Sequence, residues 1–587
     1  MSIKRFRKLL ARKRWRMLTE RRRARQAVMA YPTAQPMIEL MEPRLLLSSV
    51  IVVDSTLDVV DANDGVTTLR EAILLANSTP NTNGPDEIHF DIPGLDPGEA
   101  AIIYITSALP EITEAVIIDG TTQSGYNGTP LIELQGDEVT HMSGLTLSNH
   151  EGSTIRGLSI HGFKKTGIEI TNSPWYQNGH TIEDNYIGLD ASGEDGLANG
   201  AGISVYRSIG TIIRNNVISN SKNSGIELSS ATYTVIQGNL IGTDATGTVA
   251  MGNVKHGILL NDWYVHHTQI GGSDTGEGNV ISGNEYGIFL ANETYENVIQ
   301  GNYIGTDITG TVAIGNTYGI GFGTIAYHTA GKQNLVGGSG EGEGNIISGN
   351  TDAGILNIGD DNVFQGNRIG VDANGDALGN GGSGIESYGD NNLFGGLDEG
   401  EGNIIAHNGG YGIRLVSEGV GNSILGNSIY DNGTEQVDPT LGLGIKIGGS
   451  STLIENDDDD VDTGANNQQN HPHILGATAT SSGITIDGML SSTPQTTFLI
   501  EFFASPASDP GRYDQGKIFL GRAEVTTDID GDVYFTETFE VNVPVGYVIT
   551  ATATAPDGST SEFSRSDANA TVVPGNTPPS NLVVSVD

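Results

Sequence analysis

Gly287-Ile288-Phe289-Leu290, a loop, then Val298-Ile299-Gln300-Gly301-Asn302-Tyr303-Ile304 is the stretch that decides the fold. Gly-Ile-x-Leu reads as a short strand, and the later segment as two short strands joined by a turn at Gly301-Asn302. Side-chain alternation puts Val298 or Ile299 inside, and Ile304 inside again after the turn. The unit recurs. Gly-Ile pairs begin at positions 167, 202, 225, 257, 287, 319, 354, 384, 412 and 444, with intervals averaging near 31 residues. Repetition at this scale means a solenoid, a propeller or an array, and propeller blades need about 40–45 residues. Helical repeats are built from Ala, Leu, Glu and Lys, whereas this body is rich in Gly, Asn, Thr, Ile and Ser. A leucine scaffold is absent. What remains is a parallel β-coil, with Ile and Val stacked in columns and each strand paired to those above and below.

Asparagines repeat with the unit: Asn239, Asn302, Asn367 and Asn427 in one phase, Asn279, Asn345 and Asn403 in another. Asn tolerates left-handed backbone and bonds its own chain, so these positions read as tight turns whose amides bond along the column. Four units carry a related insertion, Ile187–Gly193, Ile241–Gly247, Ile304–Gly310 and Ile369–Gly375, so long and short units alternate. Asp-x-Ser/Thr/Asn-Gly is turn chemistry; Asp372-Ala373-Asn374-Gly375-Asp376 alone also fits the start of a calcium loop. The pattern over 131–455 resembles the right-handed parallel β-helix, or pectin-lyase-like, superfamily. Roughly eleven coils at about 4.8 Å each give a length on the order of 50 Å.

Charge divides the chain. Residues 1–50 hold 13 Lys plus Arg against three acids, and the remainder carries 16 basic and 68 acidic residues, a charge of −52. Such a body repels phosphate backbones, which argues against nucleic acid as a partner. No apolar run is long enough for a membrane-spanning helix, and with no Cys there are no disulfides, thiolate metal sites or cysteine nucleophiles. Met41-Glu42-Pro43-Arg44-Leu45-Leu46-Leu47-Ser48 resembles the LEPR-XLL motif of large bacterial surface proteins, with Met41 in place of its Leu. The resemblance implies export to an extracellular or cell-surface location. Thr67-Thr68-Leu69-Arg70-Glu71-Ala72-Ile73 resembles the CSLREA motif that precedes parallel β-helices, with Thr67 in place of Cys. Val50–Val53 reads as a strand. Thr67 or Thr68 caps a helix to about Asn77, whose apolar face can cover the open end of a β-stack.

Aromatic residues recur in the loop after each Gly-Ile strand: Trp175 and Tyr176, Tyr233, Trp263 and Tyr264, Tyr295, and Tyr327, with His180, His266, His267 and His328 beside them. If coils stack in register the rings form a stripe. It either stacks on itself as edge cover or offers a platform for the C–H faces of sugars. Catalytic signals are weak. Asn350-Thr351-Asp352 resembles the Asn-Thr-Asp motif of hydrolases on this fold, but Asp360-Asp361 follows within a single coil, the Gly-His-Gly element is missing, and Arg368-Ile369 is followed by Gly370 rather than Lys. Lys255-His256 and His266-His267 are the best of few basic candidates for a lyase.

After Glu455 comes an acidic stretch, 456–472. It is a solvated linker or a calcium site built from Asp458, Asp460, Asp462 and Asn466. From His473 the pattern turns to period-two strands at Ile484–Met489, Thr497–Phe503, Lys517–Val525, Val533–Val541 and Tyr547–Ala553, with Ser561–Arg565 as a last candidate. This reads as an antiparallel β-sandwich, immunoglobulin-like in size.

The expected organisation is a basic targeting segment (1–49), an N-terminal cap (50–130), a right-handed parallel β-helix (131–455), an acidic linker (456–472), a β-sandwich (473–573), and a Pro-containing tail (574–587) leading towards a further module. The expected function is an exported binding or scaffolding protein whose partner is a polysaccharide or cell-surface glycan. A secreted polysaccharide lyase or glycoside hydrolase is the alternative. Ca2+ is the one cofactor for which the sequence offers ligands.

Overall fold

The computed structural model of the protein describes residues 49–81, 84–96, 98–137, 140–173, 179–262, 264–323, 330–433, 443–448, 454–507, 515–565 and 570–575. The basic segment, its Met41–Ser48 motif, and Trp175, Tyr176, Trp263, Tyr327 and His328 lie outside the described residues. The chain divides into two compact units between Asn380 and Gly381.

In the first unit the Gly-Ile strands stack in parallel. Ile168, Ile203, Ile226, Ile258, Ile288, Ile320 and Ile355 stand in single file, each the register partner of the next. All are fully buried. The glycine before each has a steric reason: a Cβ on Gly287 would meet the carbonyl oxygen of Gly319 at 2.6 Å, and one on Gly202 that of Gly225 at 2.4 Å. Two further files complete the core. Ile155, Ile182, Ile213, Ile236, Ile270, Ile299 and Val336 line the first sheet. Ile160, Ile187, Ile218, Ile241, Ile281, Ile304, Ile347 and Ile369 line the second, and the Gly-Ile strands form the third. Of the two inward candidates in the deciding stretch, Ile299 is buried and Val298 is not. Burying an aliphatic side chain of this size stabilises by about 1.5–3 kcal/mol, so each coil adds a similar increment.

The corners between sheets are held by asparagine ladders. Asn185, Asn216, Asn239, Asn279, Asn302, Asn345 and Asn367 form one; the Oδ1 of each accepts the backbone and side-chain N–H of its predecessor at 2.9–3.2 Å. Asn239, Asn302 and Asn367 of one sequence phase and Asn279 and Asn345 of the other are thus alternate rungs of one ladder. Asn253, Asn284, Asn316, Asn350 and Asn380 form a second at the next corner. Asn297, Asn334 and Asn362 form a third. Asn350, the first residue of the hydrolase-like triplet, is therefore a rung.

The insertions are turns. Asp244 Oδ1 accepts the N–H of Thr248 and Val249, Asp307 Oδ1 those of Thr311 and Val312, and Asp372 Oδ1 those of Asn374 and Asp376. They also stack on one another: Gly193, Gly247 and Gly310 carbonyls accept from Ala245, Ile308 and Ala373 at 3.0 Å.

At the N-terminal side the helix is Leu69–Ser78, capped by Thr68 with Glu71 reciprocating, and Leu69, Ala72, Ile73 and Ala76 are buried. Parallel pairing begins before residue 131: Val50–Val53 pairs with Asp86–Phe90, and that strand with Val116–Asp119.

In the second unit, Ile385, Ile413 and Ile445 form a parallel file of their own. Two four-stranded, mainly antiparallel sheets follow. One orders Asp532–Phe539, Gly483–Ser491, His473–Thr480 and Val573–Pro574; the other Ile518–Thr526, Thr497–Ser505, Val548–Thr554 and Ala570–Thr571. They share a core that includes Ile486, Phe498, Phe502, Phe535 and Ile549. His473–Thr480 is a strand the sequence pattern missed, and Ser561–Arg565 is not one. There the Ser561 and Ser564 hydroxyls accept from the N–H groups of Ala553 and Ala551, displacing a regular ladder. Side chains from this region complete the last coils: Asn466 accepts from Asn422 N–H, Gln515 from Asn432 N–H, Glu501 from Gly426 N–H, and Glu562 pairs with buried Lys446 at 2.8 Å. These contacts occupy backbone donors that an open coil end would expose.

Candidate functional site

The ring-bearing corner lies between the third and first sheets. Thr232, His266, Tyr295 and Lys332 are bridged in succession. The next residue on each coil, Tyr233, His267, Glu296 or Gln333, has φ between +55° and +58°. Tyr233 and Tyr295 share an offset in the sequence but not a column. The structure staggers them: Tyr233 stacks on His267 at 4.8 Å, and Tyr295 on His266 at 4.9 Å. His266 and His267 approach through Nδ1 at 2.7 Å, so one ring donates and the other accepts. Burial, then the neighbouring His267, lowers the pKa of His266 to about 4, which leaves it neutral at pH 7. Burial, then Glu296, raises that of Tyr295. His267 Nε2 lies 3.4 Å from Glu296, and Lys332 pairs with Glu293 at 3.0 Å. Tyr233 is 43% exposed and Tyr264 57%. The corner is thus a block of stacked tyrosine and imidazole rings rimmed by charged side chains.

His180, read as flanking this stripe, is fully buried against His150, and burial lowers its pKa to about 3. Two other groupings were not legible as such in the sequence, although His256 itself was among the basic candidates for a lyase. His256, Tyr286 and Tyr318 precede their Gly-Ile pairs and form a row on the third sheet, with Tyr286 stacked on Tyr318 at 4.9 Å and His256 on Phe289 at 4.9 Å. The signal was present as an aromatic or His immediately before glycine. On the first sheet Asp119, Arg156, Glu183 and Arg214 are register neighbours and alternate in charge. Arg156 reaches Asp119 at 2.5 Å, and Arg214 reaches Glu183 at 2.5 Å. Burial acts to raise the Asp119 pKa, but Arg156 and Thr121 hold it low; adjacent Asp184 is raised by burial and then by Glu183. This ladder is legible only once the register is known.

In the acidic segment the oxygens of Asp457, Asp460 and Asp462 lie within 4.8 Å of one another. Asp457 replaces Asp458 in the expected set, and the Asn466 amide is committed to Asn422 and Thr560. Burial, then Asp457 and Asp460, raises the Asp462 pKa to about 6. Asp460 accepts from Ser492, Gln469 and Asn470, whereas one oxygen each of Asp457 and Asp462 is buried without a partner. An all-oxygen trio of this kind suits a hard cation such as Ca2+.

The sequence matches the family model of the right-handed beta helix region over residues 125–304. No curated protein sequence matches the chain. Among solved structures, the Dettilon tailspike protein is 15% identical, covering 84% of this chain and 90% of its own, with a TM-score of 0.38. The mannuronan C-5 epimerase A-module of Azotobacter vinelandii is 16% identical, covering 67% and 95%, with a TM-score of 0.37. An alginate lyase from Paenibacillus sp. is 16% identical, covering 61% and 93%, with a TM-score of 0.25. At such identity no activity transfers to this chain. The family match over residues 125–304 and the three long parallel sheets are consistent with one architecture, the right-handed parallel β-helix.

Proposed function

We propose that the chain is an exported bacterial protein of the cell surface or extracellular space that binds polysaccharide, with the β-helix as a scaffold for the ring-bearing corner. The observation that carries this reading is the pair of stacks Tyr233–His267 and His266–Tyr295, held along the coil axis with Tyr233 exposed and Tyr295 half-buried. Sugar rings pack their C–H faces on such surfaces. The LEPR-XLL resemblance supports export, the CSLREA resemblance supports a β-helix downstream of it, and the C-terminal sheets are read as an immunoglobulin-like sandwich module. A glycan array probed with the full chain tests the proposal. Tyr233→Asn, which keeps a residue tolerant of the left-handed backbone, together with Tyr295→Ala should abolish retention on the responsive glycan. Unchanged retention contradicts it.

The lyase or hydrolase reading has one specific observation in its favour: the Asp119–Arg156–Glu183–Arg214 ladder beside Asp184, with carboxylates whose pKa values are pushed apart. A screen on acidic glycans decides it. Turnover that disappears in both Arg156→Gln and Asp184→Asn would favour an enzyme.

A further inference from the structure

A groove runs over the outer face of the second sheet, away from the ring-bearing corner. Its floor is the register series Leu240, Val280, Tyr303, Ile346 and Arg368. Two loop families wall it. On one edge stand Gly272–Gly278 and Gly338–Gly344, the glycine-rich connections from first to second sheet. Within them Glu277 accepts from Asp274 N–H and Glu343 from Gly340 N–H. On the other edge stand the Asp turns, whose Ile308 and Ala373 face the same space. The volume of the groove is about 770 Å³.

The walls alternate. Coils entering through Leu240, Tyr303 and Arg368 have a two-residue corner on the first edge and an Asp turn on the second; coils entering through Val280 and Ile346 have the glycine-rich loop and no Asp turn. Each wall therefore repeats every second coil, about 10 Å along the axis. That spacing is comparable with two sugar residues of an extended chain. Each floor strand already has neighbours on both sides, so a peptide cannot add to this sheet by strand pairing. The acidic body disfavours a polyanion, and among the lining residues Asp274 and Arg368 offset each other. A floor that is apolar as far as Arg368, half-buried Tyr303 and glycine-rich walls suit sugar rings lying flat.

We infer that this groove is a second binding site, for an extended, uncharged polysaccharide strand seated in register with the two-coil repeat. The inference rests on the glycan reading for its ligand class only, since it uses different residues. The probes are unbranched neutral β-1,4 gluco- and manno-oligosaccharides, each one residue longer than the last, titrated into the full chain. Affinity rises with length in two-residue steps. Thr275→Trp, an exposed wall position, fills the groove and weakens binding at least about tenfold, while Tyr233→Asn/Tyr295→Ala leaves this binding intact. Ser273→Trp on the same wall repeats the test, with unchanged melting temperature as the folding control. Wild-type affinity in both Trp variants, or loss only in the tyrosine variant, overturns the groove and leaves the corner standing. Tighter binding of a polyuronate series overturns the assigned ligand class.

Discussion

The coiled region and the C-terminal pair of sheets solve the burial problem in opposite ways. In the coil, one residue type recurs at one position in most turns: an isoleucine file inside, a glycine file beside it, asparagine at the corner. Each coil is held by its two neighbours, and a defect is shared along the file. The C-terminal sheets bury unlike side chains in one shared core, with Phe502 packed edge to face on Phe535 among Ile, Leu, Val and Ala. Register there is fixed by individual antiparallel pairs, such as Ile486 with Glu537 and Phe502 with Ala551. Repetition makes the first region tolerant of variation between coils and intolerant of a substitution that changes coil spacing.

The largest effect should come from breaking that spacing. Gly287→Val sets a side chain against the Gly319 carbonyl and should cost on the order of 3 kcal/mol. Hydrogen exchange should quicken in several coils on either side, while residues 473–575 keep their protection. Exchange that quickens only at residues 287–290 would mean the coils are held independently.

Removing a rung is next. Asn302 donates to Asn345, Ile270 and Gln300 and accepts from Asn279. Asn302→Ala should cost about 2 kcal/mol, because buried donors and acceptors lose their partners. Thr485→Ala, in an exposed hydroxyl pair with Thr538, should change chemical denaturation by less than about 0.5 kcal/mol.

The two regions should also answer acid differently. His180, His256 and His266 have pKa values lowered from 6.5 to about 3, 4 and 4, chiefly by burial. Below pH 6.5 the unfolded chain binds protons that the folded coil does not, so these groups withdraw stability as pH falls from 6.5 towards 4. Glu501 is raised from 4.5 to about 7 by burial, against the Gly426 hydrogen bond and Arg522, and Asp462 from 3.8 to about 6. Here the folded form holds the extra proton, so acidification from about pH 7 towards 4.5 adds stability. Region-resolved exchange at pH 7 and pH 5 should show the coil loosening relative to the C-terminal sheets. Parallel loosening of both would contradict the assigned histidine and carboxylate environments.

The smallest shift is calcium. Millimolar Ca2+ should raise the melting temperature by a few degrees and slow exchange around residues 457–462. Asp462→Asn should remove the response; a wild-type chain indifferent to Ca2+ identifies the trio as plain linker.

The same contrast explains what could be read from sequence. The Gly-Ile period, the Thr68 cap and the Asp turns were legible because each is a local pattern with a local cause. The C-terminal strand His473–Thr480 was not, since Gly476 and the small residues after it weaken its alternation and a bulge shifts its register. The candidate site was half legible. Offsets counted from glycine placed Tyr233 and Tyr295 in one column, but loop lengths differ between coils, so the true partners are His267 and His266. The alternating charges at Asp119, Arg156, Glu183 and Arg214 are 27 to 37 residues apart, and nothing local joins them.

The most direct test is hydrogen-exchange mapping of the full chain with and without the glycan it retains on the array. Protection is expected at residues 232–233, 266–267 and 295–296, three segments distant in sequence and adjacent on one corner. Protection confined to residues 473–575 would show that the ligand belongs to the C-terminal sheets and that the coil is only their support.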